Sequence, residues 1–336
     1  MTTGEFTKNR ASGPSLLCVF LFALLVGGTI QVFARQQGQP DSTPPVQRAQ
    51  GEAPIESELE TTYVTVVDKN GKPVTDLRRE DFSISENNVQ QGIVEVASAV
   101  ETPLVIAVAV DVSGSTRWDE IGMEKLQVFG SFLSKTLRSS DEAFVTMFAD
   151  RSVRLTALTN NLAELQAGLK KVRDENRHGS TALYDCLVTA AETMPQEPGK
   201  RKVILMMSDF EDNVSFYSLE KTVLQMQKTR TAVFPLLEIG PTPRKPRTAR
   251  LGLKVAQELA DESGGAAYKF ENAQKLETAL GWIQVMLRNS YAVKYRATGV
   301  AKKGKRIAVK IEVHRKGVEV VAARGRVAEG PSIWHQ

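Results

Sequence analysis

Oxygen-bearing side chains occupy alternate positions directly after one of the most apolar segments of the chain. Residues 104–110 read LVIAVAV, a run typical of a strand buried on both faces of a parallel sheet. Asp111, Ser113 and Ser115 follow it, and ligands of open α/β sheets bind outside the carboxyl ends of the strands. A carboxylate and two hydroxyls are hard donors suited to Mg²⁺, Mn²⁺ or Ca²⁺. Alone the pattern is a weak signal, because Ser and Asp also form turns and helix caps there.

Two later stretches add oxygen donors in matching positions. Thr181 belongs to GSTALYD at residues 179–185, where a loop enters a predicted helix. Asp209 leaves a second buried strand, KVILMM at residues 202–207, as Asp111 leaves the first. If the two strands are neighbours in a parallel sheet, all five oxygen donors come from loops at one edge.

DVSGS, STALYD and SDFEDN, in this order, resemble the von Willebrand factor type A domain over roughly residues 103–288. The flanks resemble, more loosely, a bacterial exported branch of that family. The family's metal-ion-dependent adhesion site is Asp-x-Ser-x-Ser with a distant Thr and a more distant Asp. It maps onto Asp111, Ser113, Ser115, Thr181 and Asp209.

The resemblance implies an interaction module with a bound divalent cation, Mg²⁺ first and Mn²⁺ or Ca²⁺ as alternatives. Three ligands are neutral hydroxyls and two are carboxylates, so the metal keeps positive character and an open position. An Asp or Glu of a partner protein completes the shell, since Mg²⁺ commonly keeps exchangeable positions. Such a site serves adhesion or assembly and not turnover.

Some residues near these motifs have two interpretations. Phe210 stands where the family commonly has Gly, which stiffens or reshapes that loop. Glu211 and Asp212 either tune the metal or, as we favour, keep the loop solvated. Arg117 and Trp118 form a rim of the metal loop, or Trp118 packs on the first helix.

The sequence offers little for catalysis, and we expect no enzyme. A haloacid dehalogenase-like site needs a second Asp where Ser113 stands, and the Gly-x-Ser-x-Gly elbow is absent from the sequence. No Gly-rich phosphate loop follows a strand, and His178, His314 and His335 provide little for acid–base chemistry. The first alternative is a structural scaffold domain with a non-functional metal site. The less favoured alternative is a metal-dependent hydrolase.

Composition is that of an ordinary globular protein, with 42% hydrophobic and 24% charged residues. The net charge of +4 is too small to indicate nucleic-acid binding. Residues 1–34 are predicted to be a signal peptide, with two basic residues before the apolar stretch 16–26 and small residues near Ala34. The alternative is an uncleaved membrane anchor at residues 15–34.

Export to the periplasm or secretion follows from the signal-peptide hypothesis. Cys18 lies too early for a lipoprotein cysteine, so cleavage after Ala34 leaves Cys186 alone. We expect no internal disulfide and a buried, unreactive Cys186 on the apolar side of a helix.

The predicted fold is a doubly wound, mostly parallel α/β sheet, Rossmann-like, at residues 103–288. A flexible linker at 35–56 precedes an N-terminal β-segment at 57–100, and a C-terminal β-segment spans 289–330. The two β-segments form one small flanking β-domain, or they are separate extensions. Residues 241–250, PTPRKPRTAR, are predicted to be a solvated loop, with contact to an acidic partner as the alternative.

Overall fold

Two β-sheets and six α-helices form the part of the chain that the computed structural model describes, residues 58–114, 120–174, 179–239, 246–298 and 304–328. These residues belong to one compact unit. The strands are β1 (Glu58–Asp68), β2 (Phe82–Glu86), β3 (Val89–Ser98), β4 (Leu104–Asp111), β5 (Glu142–Phe148), β6 (Ser152–Arg154), β7 (Arg201–Ser208), β8 (Thr231–Glu238), β9 (Tyr268–Phe270), β10 (Ser290–Ala297), β11 (Arg306–Val313), β12 (Val318–Val321) and β13 (Gly325–Val327). The helices are α1 (Glu120–Thr136), α2 (Leu162–Asp174), α3 (Leu183–Thr193), α4 (Leu219–Thr229), α5 (Pro246–Ser263) and α6 (Ala273–Arg288).

The six-stranded sheet has the order β6-β5-β4-β7-β8-β9 and is parallel except for β6. Helices α1, α2 and α6 pack on one face and α3, α4 and α5 on the other. Because both faces are covered, every residue of β4 and of β7 is buried, and neither strand alternates between apolar and polar residues. The predicted doubly wound α/β fold is confirmed.

The register of this sheet aligns the ends of its two central strands. Strands β4 and β7 are parallel neighbours, with Val110 opposite Met207. Asp111 therefore lies beside Ser208, and Asp209 follows one residue later. The shared site that the sequence predicted depended on these two strands being neighbours, and the structure shows that they are.

The second sheet is antiparallel, has seven strands and combines both flanks of the α/β core in the order β12-β1-β10-β3-β2-β11-β13. Strand β10 lies between β1 and β3, and β11 pairs with β2. The β2–β3 turn places Asn87 and Asn88 at φ 47° and 67°, as expected for a two-residue hairpin turn. The predicted flanking β-structure is confirmed as one sheet. Strand β13 was not predicted, because three residues are too few to show the alternation of apolar and polar residues that is typical of a strand.

One prediction about loops is wrong in part. Residues 246–250 form the first turn and more of α5, although the sequence predicted a solvated loop over 241–250. Pro246 is the first helical residue, where its fixed φ suits a helix and its missing N–H costs no hydrogen bond. Residues 240–245 lie outside the described residues, as do the predicted signal peptide and linker.

In the described part of the chain, none of the helices has the length and apolar character needed to span a membrane.

Candidate metal centre

Asp111 is the last residue of β4 and has only 1% of its surface exposed. The Ser113 backbone N–H donates to Asp111 Oδ1 at 2.9 Å, and the Ser113 hydroxyl also hydrogen-bonds this carboxylate. Ser208 Oγ, from the neighbouring strand, donates to Asp111 Oδ2 at 2.6 Å. The carboxylate is thus held from both strands at the edge of the sheet, with Ser113 buried beside it.

Asp209 is equally buried and begins the loop after β7. Its Oδ1 accepts a hydrogen bond from Glu211 N–H at 3.0 Å. The next residue, Phe210, has φ 60°, in the left-handed region that favours glycine, and its N–H donates to Ser208 Oγ at 2.9 Å. The Phe210 side chain is buried against α3, α4 and α5. The loop thus keeps a glycine-like backbone while its side chain anchors the loop in the core.

Thr181 is buried just before α3 and is held by the loop that Asp209 begins. Its N–H donates to Asn213 Oδ1 at 2.8 Å, and its carbonyl accepts from Asn213 N–H at 3.0 Å. The loop after β4 joins the same edge, because Gly114 N–H donates to Gly179 O at 3.2 Å. Three separate loops therefore meet where the sequence predicted them to meet.

Asp212 has a structural role that the sequence interpretation missed. Its Oδ1 accepts from Leu183 N–H at 2.9 Å, at the first residue of α3, and Ser215 Oγ accepts from Tyr184 N–H at 3.0 Å. In return, both Asp185 carboxylate oxygens accept backbone N–H groups of the same loop. The expectation that Asp212 merely solvates the loop is wrong. Short polar side chains that cap helices are the signal that pointed to this role.

Helix α5 touches the candidate metal centre from the other side. A Cβ atom at Gly252 would lie 2.3 Å from the Asp209 carbonyl oxygen, closer than any side chain tolerates. The helix therefore approaches the loop backbone directly, and Gly252 allows it to do so. In the sequence, Gly252 is only a glycine inside a predicted helix, which is a weak signal.

The electrostatics of the centre favour a cation. Burial, with a smaller contribution from the negative charge of Asp209, raises the pKa of Asp111 from 3.8 to about 6, although hydrogen bonds from Ser113 and Ser208 act to lower it. Two buried carboxylates that repel each other are relieved by a divalent ion. No group of three or more His, Cys, Asp or Glu that could hold a metal occurs among the described residues. The donor set here is two carboxylates with hydroxyls, which fits a hard cation such as Mg²⁺ that retains waters.

Several residues that the sequence singled out either lie outside the described residues or lie away from this centre. Ser115, the fifth predicted ligand, lies outside the described residues, as do Arg117, Trp118 and His178. His314 follows β11 in the antiparallel sheet and donates its backbone N–H to Asp81 O.

The expectation of a buried Cys186 is confirmed. It is fully buried in α3, and burial raises the pKa of its thiol to about 12.

A parallel sheet covered by helices on both faces, with Asp111 and Asp209 at its carboxyl edge, defines the class of this domain as a doubly wound α/β fold. Residues 106–211 match the family model of the von Willebrand factor type A domain. The resemblance drawn from DVSGS, STALYD and SDFEDN is thereby confirmed.

Several solved structures have a similar arrangement at low sequence identity. An aerotolerance-related membrane protein from Bacteroides fragilis and BatB from Bacteroides thetaiotaomicron are each 15% identical, with a TM-score of 0.43. The matches cover 54% and 55% of this chain and 98% of those chains. Proximal thread matrix protein 1 from the mussel byssus, with a zinc-occupied MIDAS motif, is 16% identical, with a TM-score of 0.48 and coverage of 60% of this chain and 49% of that one. Comparison with curated proteins gives no match.

Proposed function

We propose that the protein is an exported, non-catalytic interaction module that binds an acidic side chain of a partner protein through Mg²⁺. Asp111, Ser113, Thr181 and Asp209 would hold the ion, together with Ser115. The bound ion would supply a Lewis-acidic position for a carboxylate oxygen. The protein's own residues supply the rest, by fixing the donors and excluding water from one side of the centre.

The observation that carries this proposal is the pair of buried carboxylates at the carboxyl edge of the sheet. Asp111 and Asp209 come from adjacent strands, and each has 1% of its surface exposed. Two like charges that are buried close together repel each other, and a positive charge bound between them lowers this repulsion. A divalent cation provides that charge, and hydroxyl ligands leave it with affinity for a further anion.

Apolar side chains around this edge support a protein as the partner. Phe216 is 85% exposed, and Val214, Ile239 and Leu251 are also exposed. They come from the loop after β7, the end of β8 and the residue beside Gly252 in α5. Single exposed apolar residues are ordinary, but several beside a ligand site form the kind of surface that protein interfaces use.

The proposal is tested by Mg²⁺ titration calorimetry on the wild-type chain and on Asp209→Asn, with Asp212→Asn as the matched control. The control removes a nearby charge but keeps an oxygen that can accept the Leu183 N–H. Acetate serves as a stand-in for the partner carboxylate. We expect Mg²⁺ binding in the wild type and in Asp212→Asn, strengthened by acetate, and none in Asp209→Asn.

Each other outcome is informative. Equal Mg²⁺ binding by Asp209→Asn and the wild type would refute the proposed ligand set. No binding in any of the three proteins at millimolar Mg²⁺ would favour the scaffold hypothesis. Mg²⁺ binding without any effect of acetate would contradict the proposed role of the open position.

A further inference from the structure

Exposed apolar side chains gather around the candidate metal centre. In the part of the chain that the structure describes, the large apolar residues exposed at the carboxyl edge of the α/β sheet are Val214, Phe216, Ile239 and Leu251. The other exposed ones among the described residues are Leu59, Val89, Val94 and Trp282, which belong to β1, β3 and α6. A group of such side chains beside a ligand site is typical of a surface that contacts a partner.

Val214 and Phe216 lie on the α3 side of the centre. The Val214 N–H donates to the Thr181 carbonyl at 3.4 Å, so Val214 lies directly beside a candidate ligand. The Phe216 N–H donates to Asp185 Oδ2 at 3.0 Å, in the first turn of α3. The Phe216 ring has its centre 5.8 Å from that of Tyr217, and the residue is 85% exposed. Both residues therefore have a backbone that is held in place and a side chain that is open to solvent.

Ile239 and Leu251 lie on the α5 side of the same centre. Leu251 comes directly before Gly252, which approaches the Asp209 carbonyl so closely that a Cβ would be 2.3 Å away from it. Ile239 follows β8, the parallel neighbour of β7. Helix α4 packs between α3 and α5. The two apolar pairs therefore border the centre from different sides.

The charge of this edge favours one acidic residue in the partner over a run of them. The carboxylates at this edge include those of Asp111, Asp209, Glu211 and Asp212. The exposed cations beside Leu251 are Arg250 and Lys254. A divalent ion and these two cations only balance the four carboxylates, and unbalanced like charges across an interface are costly. Little positive charge therefore remains for a second acidic side chain.

Resting on the proposed metal-bound carboxylate, we propose that the partner offers one acidic residue with an apolar side chain on each side of it. Val214 and Phe216 contact one of these apolar side chains, and Ile239 and Leu251 contact the other. The metal then provides the anchor for the carboxylate, and the apolar contacts decide which acidic residues are bound. Their contribution grows with the apolar area that is removed from water.

A short extended peptide can present this pattern. Side chains two residues apart lie on the same face of an extended segment, about 7 Å from each other. The blocked peptide Leu-Ala-Asp-Ala-Leu therefore places two leucines on the face of its aspartate. The matched peptides are Ala-Ala-Asp-Ala-Ala, which lacks the apolar side chains, Asp-Ala-Asp-Ala-Asp, which replaces them by charges, and Leu-Ala-Asn-Ala-Leu, which lacks the carboxylate.

The test is calorimetric titration of these peptides into the full chain in millimolar Mg²⁺. The variants are Phe216→Ser and Leu251→Ser. The control is Leu59→Ser, because Leu59 is 58% exposed and Leu251 is 59% exposed, but Leu59 belongs to β1 of the antiparallel sheet. All three residues are exposed, so the substitutions should leave folding intact, and circular dichroism checks this.

We expect the wild type to bind Leu-Ala-Asp-Ala-Leu roughly tenfold more tightly than Ala-Ala-Asp-Ala-Ala. The difference should shrink severalfold in Phe216→Ser and in Leu251→Ser and persist in Leu59→Ser. Binding of Ala-Ala-Asp-Ala-Ala should be equal in all four proteins, since the metal and its ligands are unchanged. Leu-Ala-Asn-Ala-Leu should not bind.

The outcomes separate this inference from the proposed function. Equal, Mg²⁺-dependent binding of the leucine and alanine peptides by the wild type would overturn the inference and leave the metal-bound carboxylate intact. Tighter binding of Asp-Ala-Asp-Ala-Asp would overturn it in favour of a run of acidic residues. A wild type that binds neither Mg²⁺ nor acetate would refute the proposed function and this inference with it. Mg²⁺-dependent dimerisation that Leu251→Ser abolishes, measured by sedimentation, would assign the surface to a second copy of the chain instead.

Discussion

The carboxylate of Asp111 holds a proton more strongly in the folded chain than in the unfolded one. Burial and the charge of Asp209 raise its pKa from 3.8 to about 6, although two serines donate hydrogen bonds to it. At about 1.4 kcal/mol per unit, this rise corresponds to about 3 kcal/mol of linkage between protonation and folding. Protons and the proposed metal ion would therefore compete for the same oxygen atoms.

In the metal-free chain, the contribution of Asp111 to stability should accordingly fall as the pH rises. Below pH 3.8 both states carry the proton and the stabilisation is complete, and it disappears as the pH passes through about 6. In EDTA, the difference in unfolding free energy between the wild type and Asp111→Asn should fall by about 2 kcal/mol from pH 4 to pH 7.5. Urea unfolding of both proteins at the two pH values measures this difference in unfolding free energy. A constant difference would contradict the raised pKa.

Mg²⁺ should offset the loss of stability that rising pH causes, and it should do so in the wild type and not in Asp111→Asn. Because the ion binds the ionised carboxylate, its stabilising effect should be larger at pH 7.5 than at pH 5. Thermal unfolding with and without Mg²⁺ at the two pH values provides the measurement. A Mg²⁺ effect of the same size in Asp111→Asn would place the ion elsewhere.

Phe210 combines a strained backbone with a buried side chain. Its φ of 60° costs a non-glycine residue about 1 kcal/mol, whereas removal of a buried phenyl ring costs about 3–5 kcal/mol. Phe210→Ala should therefore be strongly destabilised. Phe210→Gly should be about 1 kcal/mol more stable than Phe210→Ala, because glycine adopts this conformation without strain. Urea unfolding of the two variants compares them directly, and the reverse order would show that the backbone is not strained.

Among the elements, the loop from Asp209 to Tyr217 and the start of α3 hold each other in place. Asp212 and Ser215 accept N–H groups of the helix, and Asp185 of the helix accepts N–H groups of the loop. Asn213 fixes the backbone of Thr181 in the same way. The position of one candidate ligand therefore depends on the loop that provides another.

Helix α5 sets the position of that loop from the opposite side. Gly252→Ala would bring a Cβ to 2.3 Å from the Asp209 carbonyl oxygen, so the loop or the helix must move. We expect weaker Mg²⁺ binding by roughly tenfold or more, as for other changes behind a metal ligand. Calorimetry measures the affinity.

Gly281→Ala in α6 is the control for this helix substitution. A Cβ at position 281 meets nothing within 4 Å, so the change should raise stability by up to about 1 kcal/mol and leave Mg²⁺ binding unchanged. Equal Mg²⁺ affinities in the two glycine variants would show that α5 does not position Asp209.

The sequence predicted the elements of the α/β core well because buried parallel strands and amphipathic helices have strong patterns. It also predicted which loops meet, since the carboxyl ends of adjacent parallel strands share an edge. It did not reveal Asn213 or Gly252 as positioning residues, because their contacts join segments distant in the chain. The start of α5 was missed because three prolines and several basic residues resembled a loop, although Pro246 suits a first helical turn.

At the scale of the whole molecule, buried ion pairs join strands of the antiparallel sheet to one another, and one further pair joins that sheet to the α/β core. Arg326 of β13 binds Glu86 and Glu60, Glu60 binds Arg230 at the end of α4, and Tyr295 donates to Glu86 Oε1 at 2.8 Å. Glu60 and Glu86 are almost fully buried. Removal of Arg326 would take away the cation that pairs with Glu86 from two sides and one of the cations that pair with Glu60.

Arg326→Leu should destabilise the chain by about 3–5 kcal/mol, the usual cost of breaking a buried pair from one side. Arg315→Leu is the control, because Arg315 pairs with the exposed Asp76 and its loss should cost less than about 1 kcal/mol. Chemical denaturation followed by tryptophan fluorescence and by circular dichroism measures both. Equal effects of the two substitutions would show that the buried pairs do not stabilise the antiparallel sheet.

The position of β10 between β1 and β3 has a consequence for the order in which the chain acquires structure during its synthesis. Strands β1 to β3 leave the ribosome first, yet the strand that separates β1 from β3 follows α6, after the entire α/β core. Until then, the edges of β1 and β3 that pair with β10 lack this partner and are exposed to aggregation. Folding of the core brings the start of β4 and the end of α6 together. Strand β10, which follows α6, can then pair with β1 and β3 and complete the antiparallel sheet.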